Sequence, residues 1–295
     1  MQDAGLPDRA IPFAKMNGSG NDFVVIDNRN GVLAGSALPR FTRQVCRRGL
    51  GLGADGVVTI EPVAAGPGEP DFRWRYLNAD GSDGEMCGNG AMCGARFAVM
   101  NGIAPRRCVF QTPSGLVRAE IDPGSSRVTL AMVDSGIVQD PVTLELAGRV
   151  LTLHPVRVGV PHVVAFVDDA DGFAGAADFA ELGRAVRFHD RFAPAGTNVN
   201  IVSRIDHRAL RMRTYERGVE AETLACGTGS VATAIVAHRV LGMPLPLTIR
   251  TSSGRPLDVG FDWDEVRQVA TEIRLTGEAR VVATGELDPE GWLDA

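Results

Sequence analysis

Cys87-Gly88-Asn89-Gly90 and Cys226-Gly227-Thr228-Gly229 are near copies of each other, set almost half of a 295-residue chain apart. Each follows a polar, loop-like stretch, Asn78 to Glu85 in one case and Glu216 to Thr223 in the other. Each opens a run with helical character, Gly88 to Met100 and Gly227 to Leu241. A thiol at a helix start faces unpaired backbone N–H groups and the positive end of the helix dipole, both of which favour thiolate. One such cysteine reads as a small buried hydrophobe. Two in matching contexts read as a pair of acid/base groups, one from each half of a duplicated chain.

Working outward, the pattern predicts strands over 13–16 and 23–27 around the turn Asn17 to Asp22, then over 57–60 and 72–77. Further strands are expected over 107–112, 115–121 and 127–132, and in the second half over 144–146, 149–158, 162–167, 199–203, 210–215, 247–251 and 269–275. Helices are expected over 39–48 and 179–186, and residues 278–285 alternate like a strand that returns to the first half. Residues 1–10 read as a frayed extension. Gly20-Asn21 and Thr197-Asn198 echo each other before strands, and Asn78 precedes Cys87 by about the distance that Glu216 precedes Cys226. The expected fold is α+β: two pseudo-symmetric domains, each a curved mixed or antiparallel sheet around a central helix. Both helix N-termini would aim at the cleft between them. The domains are drawn as 11–130 plus 278–295 and 131–277.

Composition narrows the function. A net charge of −6 argues against nucleic acid or an anionic membrane surface as partner. No apolar run reaches membrane-spanning length and the N-terminus lacks a signal pattern, so the reading is cytoplasmic. Five cysteines without Cys-x-x-Cys, and five histidines without ligand spacing, predict no disulfide framework and no metal. Cys46, Cys93 and Cys108 lack a glycine-rich helix start and read as structural. Lys15 is the chain's one lysine, so a pyridoxal enzyme would depend on it for a Schiff base. Gly51-Leu52-Gly53-Ala54-Asp55-Gly56 matches G-x-G-x-x-G, but it lies between a helix and a strand. The dinucleotide fingerprint needs the opposite order.

Inverting a stereocentre α to a carboxylate takes one group to remove a proton and another on the opposite face to return one. A thiolate and a thiol suit that division, because two nearby thiolates raise each other's pKa. Backbone N–H groups at the two helix starts would stabilise the carbanion without a cofactor.

The residues that carry this reading also resemble those of the diaminopimelate epimerase family, over roughly residues 13 to 287. The motifs are Lys15 to Phe23 (KMNGSGNDF), Asn78 to Ser82 leading into Glu85 to Gly90, and Gly159-Val160-Pro161-His162. Gly196 to Asn200 and Tyr215 to Gly218 through Thr223 to Gly229 complete them. The resemblance implies a cofactor-independent epimerase that interconverts LL- and meso-diaminopimelate, with Cys87 and Cys226 as proton donor and acceptor. It implies that Asn21, Asn78, Asn198, Glu216 and Arg217 bind substrate, the last two at its distal ammonium and carboxylate. Gly88-Asn89 and Gly227-Thr228 would hold the reacting carboxylate, with His162 as an auxiliary group. The partner would be a small amino acid, and a homodimer is one assembly open to it. Departures from the family pattern fall at Val160, Met92, Ala221 and Glu220. Two other readings stand beside this one: a proline, hydroxyproline or histidine racemase of the same fold, and a non-catalytic thiol sensor or binding protein.

Overall fold

The computed structural model describes residues 5–292 except 65, 67, 85, 147 and 174. Two compact units emerge, one from the chain up to Leu130 with the segment from Gly277 onward, the other from Ala131–Thr276.

The first unit begins with a hairpin of β1 (Ile11–Gly18) and β2 (Asn21–Asp27). Helix α1 (Ala37–Val45) then crosses to β3 (Gly56–Glu61), which lies parallel to β2. Next come β4 (Phe72–Asn78), the two-residue β5 (Asp83–Gly84) and helix α2 (Gly88–Met100). β6 (Arg107–Thr112) pairs parallel to β4 and is followed by β7 (Gly115–Ile121) and β8 (Arg127–Ala131). The second unit repeats this order. β9 (Val142–Leu146) leads into the hairpin of β10 (Arg149–Val158) and β11 (Val160–Phe166). Helix α3 (Ala176–Arg187) precedes β12 (Asn198–Arg204), parallel to β11. β13 (Ala209–Glu216), β14 (Ala221–Thr223) and helix α4 (Gly227–Leu241) follow, then β15 (Leu247–Arg250), β16 (Pro256–Asp264) and β17 (Val269–Leu287).

Each sheet closes on itself. In the first unit β17 pairs with β1, and the N–H of Ala279 donates to the Ser126 carbonyl beside β8. In the second, residues 132–139 lie between β17 and β10: Met132 and Ser135 donate to Ile273 and Ala270, while Gly136 and Gln139 donate to Arg157 and Pro155. A closed ring leaves no unpaired edge. Inside the rings run α2, packed on β1, β2, β3, β4 and β7, and α4, packed on β10, β11, β12, β15 and β16. Small residues make this fit. Asn89 to Ala95 and Gly229 to Ala237 are buried without interruption, as expected of a helix covered on every side. Outside the rings, α1 buries Leu38, Phe41 and Val45 against Val24, Ile26, Val57 and Leu77. α3 likewise sets Phe179, Leu182 and Val186 against Val163, Val199, Ile201 and Tyr215.

Several expectations are corrected. α1 ends at Val45 instead of Arg48, because Gly53 and Ala54 take the carbonyls of Val45 and Cys46. β16 is an additional strand, masked in the sequence because Gly260 and the aspartates break up an alternation of buried Leu257, Val259 and Phe261. The two strands expected over 269–275 and 278–285 are one, β17. Residues 5–10 are anchored: Leu6 packs on the core and the Pro7 carbonyl accepts from the indole N–H of buried Trp292 at 3.1 Å. Residues 1–4 of the expected extension lie outside the described residues. The pairing registers also revise the repeat. Phe23 lies beside Gly56 as His162 lies beside Asn198, so Asn198 matches Gly56, and Asn21 matches Val160.

Gly94 shows how tightly α2 is enclosed. A Cβ there would lie 2.6 Å from Trp74 Cδ1, and the Trp74 indole is fully buried. Alanine gains about 1 kcal/mol in helix propensity, whereas overpacking costs about 1–3 kcal/mol. Gly94→Ala is therefore expected to lower the urea unfolding midpoint; an unchanged or higher midpoint would show that Trp74 shifts freely.

Candidate functional site

Cys87 and Cys226 occupy the same backbone position. Each is the N-cap of its ring's inner helix, with φ/ψ of −129°/110° and −130°/112°. The extended cap turns the chain into the first helical turn, whose N–H groups have no intrahelical acceptors. Cys226 Sγ accepts from the Gly229 N–H at 3.4 Å and lies 3.6 Å from Thr228 Oγ1. Cys87 is half-buried and Cys226 buried. Burial pushes the other thiols up: Cys46 and Cys108 to about 12, and Cys93 further still. Those three stay neutral and fill core space.

On the Cys87 side, Asn89, Asn21 and Asp55 form a hydrogen-bonded chain, and Asn78 makes a separate contact. Asn89, the second residue of α2, donates from Nδ2 to Asn21 Oδ1 at 2.8 Å, and its own buried Oδ1 has no hydrogen-bond partner. Asn21 in turn donates to Asp55 Oδ2 at 3.0 Å. Asn78 ends β4 and donates to Ser82 Oγ at 3.0 Å, bracing the turn that leads toward the cysteine. Met92, at one departure from the family pattern, is fully buried inside the ring. Glu85 of the same motif lies outside the described residues.

Around Cys226 the set is more polar. His162 on β11 is buried, and burial, reinforced by the Arg217 charge, lowers its pKa to about 3. Asn200 Nδ2 donates to the Val163 carbonyl and faces His162 Nδ1 at 3.3 Å, while its Oδ1 accepts from Thr214 at 3.0 Å. With Nδ1 as acceptor, the proton sits on Nε2, a buried atom without a partner. Asn198 is a brace: Nδ2 donates to the Pro161 carbonyl at 3.0 Å, and Oδ1 accepts from the Arg217 N–H at 2.8 Å. Burial raises the pKa of Glu216. Arg217 directs Nη1 to the Ala195 carbonyl at 3.3 Å. Glu220, in the left-handed region at φ 58°, ties this turn to α3 by accepting from Gly218 N–H and from Arg187 Nε at 3.2 Å.

Gly229 serves packing here. A Cβ would lie 2.6 Å from Asn200 Oδ1, so glycine lets the start of α4 meet β12. Sequence reasoning did not assign Asp55 or Asn200 a role. The signal for Asn200 is its place two residues after Asn198, on the same face of a strand whose other residues up to Val202 are apolar. A groove of about 980 Å³ bounded by Phe13, Phe97, Met100 and Thr284 lies elsewhere and contains none of the candidate residues. Among the described residues no cluster of His, Cys, Asp or Glu could hold a metal, and no helix is long and apolar enough to cross a membrane.

The family profile described as diaminopimelate epimerase matches residues 13–138 and 155–282. A diaminopimelate epimerase of Aquifex aeolicus is 39% identical over 289 residues, covering 95% of this chain and 99% of that protein. One of a Hydrogenobaculum species is 42% identical over 262 residues, covering 86% and 92%. In fold, the chain is similar to a crystal structure of a hydroxyproline epimerase from Agrobacterium vitis, with a TM-score of 0.67 at 18% identity and coverage of 97% and 96%.

His162 sets a pH dependence. Its folded pKa of about 3 lies below the ordinary 6.5, so the unfolded chain takes up the proton first as pH falls. Stability is lost across that window and recovered as pH rises through it. In urea unfolding, His162→Gln is expected to lose less stability than the parent between pH 6.5 and pH 4. Equal losses would show that His162 is protonated in the folded state.

Proposed function

The chain belongs to the diaminopimelate epimerase family and is an isomerase; from that premise we propose that it interconverts LL- and meso-diaminopimelate by two-thiol proton transfer. The observation that carries the mechanism is the matched pair of N-cap cysteines, Cys87 and Cys226. One removes the α-proton as thiolate, the other returns a proton as thiol, and the parts exchange with reaction direction. The N–H groups of Gly88, Asn89, Gly227 and Thr228 face no acceptor within their helices and suit the reacting carboxylate, where charge develops as the proton leaves. Glu216 and Arg217 suit the substrate's distal ammonium and carboxylate. The neutral His162 offers an Nε2–H donor near them.

The side chain of the lone lysine supports a route without a Schiff base. Lys15 Nζ pairs with Asp22 Oδ2 at 2.6 Å and donates to the Gly53 carbonyl. An amine held as an ion-paired ammonium is a poor carbonyl nucleophile. On this reading the product feeds lysine and peptidoglycan-precursor synthesis.

The test is incubation with LL-diaminopimelate in deuterated water. The parent chain is expected to incorporate α-deuterium and yield the meso isomer. Cys87→Ser and Cys226→Ser should each lower kcat by about a hundredfold to ten-thousandfold, the usual share of a positioned acid or base. Exchange on proline but not diaminopimelate would overturn the substrate; near-full activity of either variant would overturn the mechanism.

A further inference from the structure

The hexapeptide Gly51 to Gly56 fails as a nucleotide loop, yet its aspartate reaches the candidate site. Asp55 lies between α1 and β3, and its Oδ2 accepts from Asn21 Nδ2 at 3.0 Å and from the Asp22 N–H at 3.1 Å. The link is reciprocal: the Asp55 N–H donates to Asp22 Oδ1 at 3.1 Å and to the Asp22 carbonyl at 2.9 Å. Arg48 Nη2 bridges the two aspartates at 2.9 and 3.0 Å, and Lys15 holds the other Asp22 oxygen. Lys15 and Arg48 hold the Asp22 carboxyl below the usual carboxylate range against the opposing pull of burial.

A carboxylate only accepts hydrogen bonds. Its place beside Asn21 therefore decides which end of that amide faces which way. With Nδ2 turned to Asp55, Asn21 Oδ1 faces α2 and accepts from Asn89 Nδ2 at 2.8 Å. Asn89 is then oriented in turn, leaving Oδ1 as a buried acceptor without a partner two residues past Cys87. An unfilled acceptor at that place matches a donor such as the ammonium of an amino acid.

We propose that Asp55 is a positioning residue for the reaction: through Asn21 it fixes the Asn89 side-chain amide, so that the start of α2 presents Asn89 Oδ1 to the substrate. This rests on the epimerase reading above for its substrate, though not for its geometry. A filler of loop space would need only the shape of Asp55, whereas a positioning residue needs the acceptor oxygen beside Asn21.

The experiment compares Asp55→Asn, which keeps one acceptor oxygen, with Asp55→Ala and with the double variant Asp55→Ala/Asn21→Ala. Asp55→Ala is expected to lose about tenfold to a hundredfold in kcat/KM for LL-diaminopimelate, the range for a lost hydrogen bond to a charged group. Asp55→Asn should stay within a few-fold of the parent. The double variant should be scarcely worse than Asn21→Ala alone, because both changes cut one chain of contacts. Additive losses would overturn the proposal. In ¹⁵N-labelled protein without substrate, Asp55→Ala should speed hydrogen exchange of the Asn21 and Asn89 side-chain amides, and Asp55→Asn should leave them slow. Unchanged exchange in Asp55→Ala would overturn it. If Asp55→Ala does not fold, Asp55→Leu, which keeps the size of the side chain without an acceptor oxygen, decides: fast amide exchange with lowered kcat/KM upholds the proposal, and slow exchange with full activity overturns it. A parent chain that leaves diaminopimelate unexchanged defeats the proposed substrate alone, since the amide exchange still tests the positioning.

Discussion

A helix enclosed by strands on every side must be narrow, and its first turn must do something with N–H groups that the helix cannot satisfy. Both constraints run through this protein. α2 and α4 are built largely from glycine, alanine and other small residues where the rings press on them, and Gly94 marks where even one methyl group meets an indole. Both helices begin at a cysteine in an extended conformation. The closed sheets, the outer helices and the hairpins all keep these two starts in place.

On that shared frame the two units carry different chemistry. The position beside Gly56 holds Phe23, while its repeat partner beside Asn198 holds His162. Where the first unit has Asn21, tied to Asp55, the second has Val160. Asn78 and Glu216 end corresponding strands, yet one is a neutral amide bracing a turn and the other a buried carboxylate with a raised pKa. A duplicated fold thus supplies two equivalent thiols and two unequal sets of neighbours.

Charge is handled differently in the two units as well. In the first, Lys15 and Arg48 pair with Asp22 and Asp55 beside Asn21. In the second, His162 is kept neutral by burial, and Arg217 opposes its protonation. The three remaining thiols are held as neutral core groups by the same desolvation.

Much of this was legible in the chain. Local rules were enough where a signal is local: the Cys-Gly-x-Gly pairs marked both inner helices, whose expected bounds match those observed. The matching order of strands disclosed the repeat. Local rules failed where partners are distant in sequence. The alternation of β16 is blurred by glycine and aspartate and becomes a strand through pairing with β15 and β17. The end of α1 is decided by a loop folding back on its last carbonyls. Asp55 acquires its place only because β2 and β3 lie side by side, bringing it to Asn21, 34 residues away. By itself, then, the sequence determined two helix starts bearing thiols, the duplication and the family, because these rest on residue type and spacing along the chain. Tertiary structure alone decided which amide faces which carboxylate, which histidine stays neutral and which asparagines are braces, because hydrogen-bond direction and desolvation depend on neighbours that the chain order does not name.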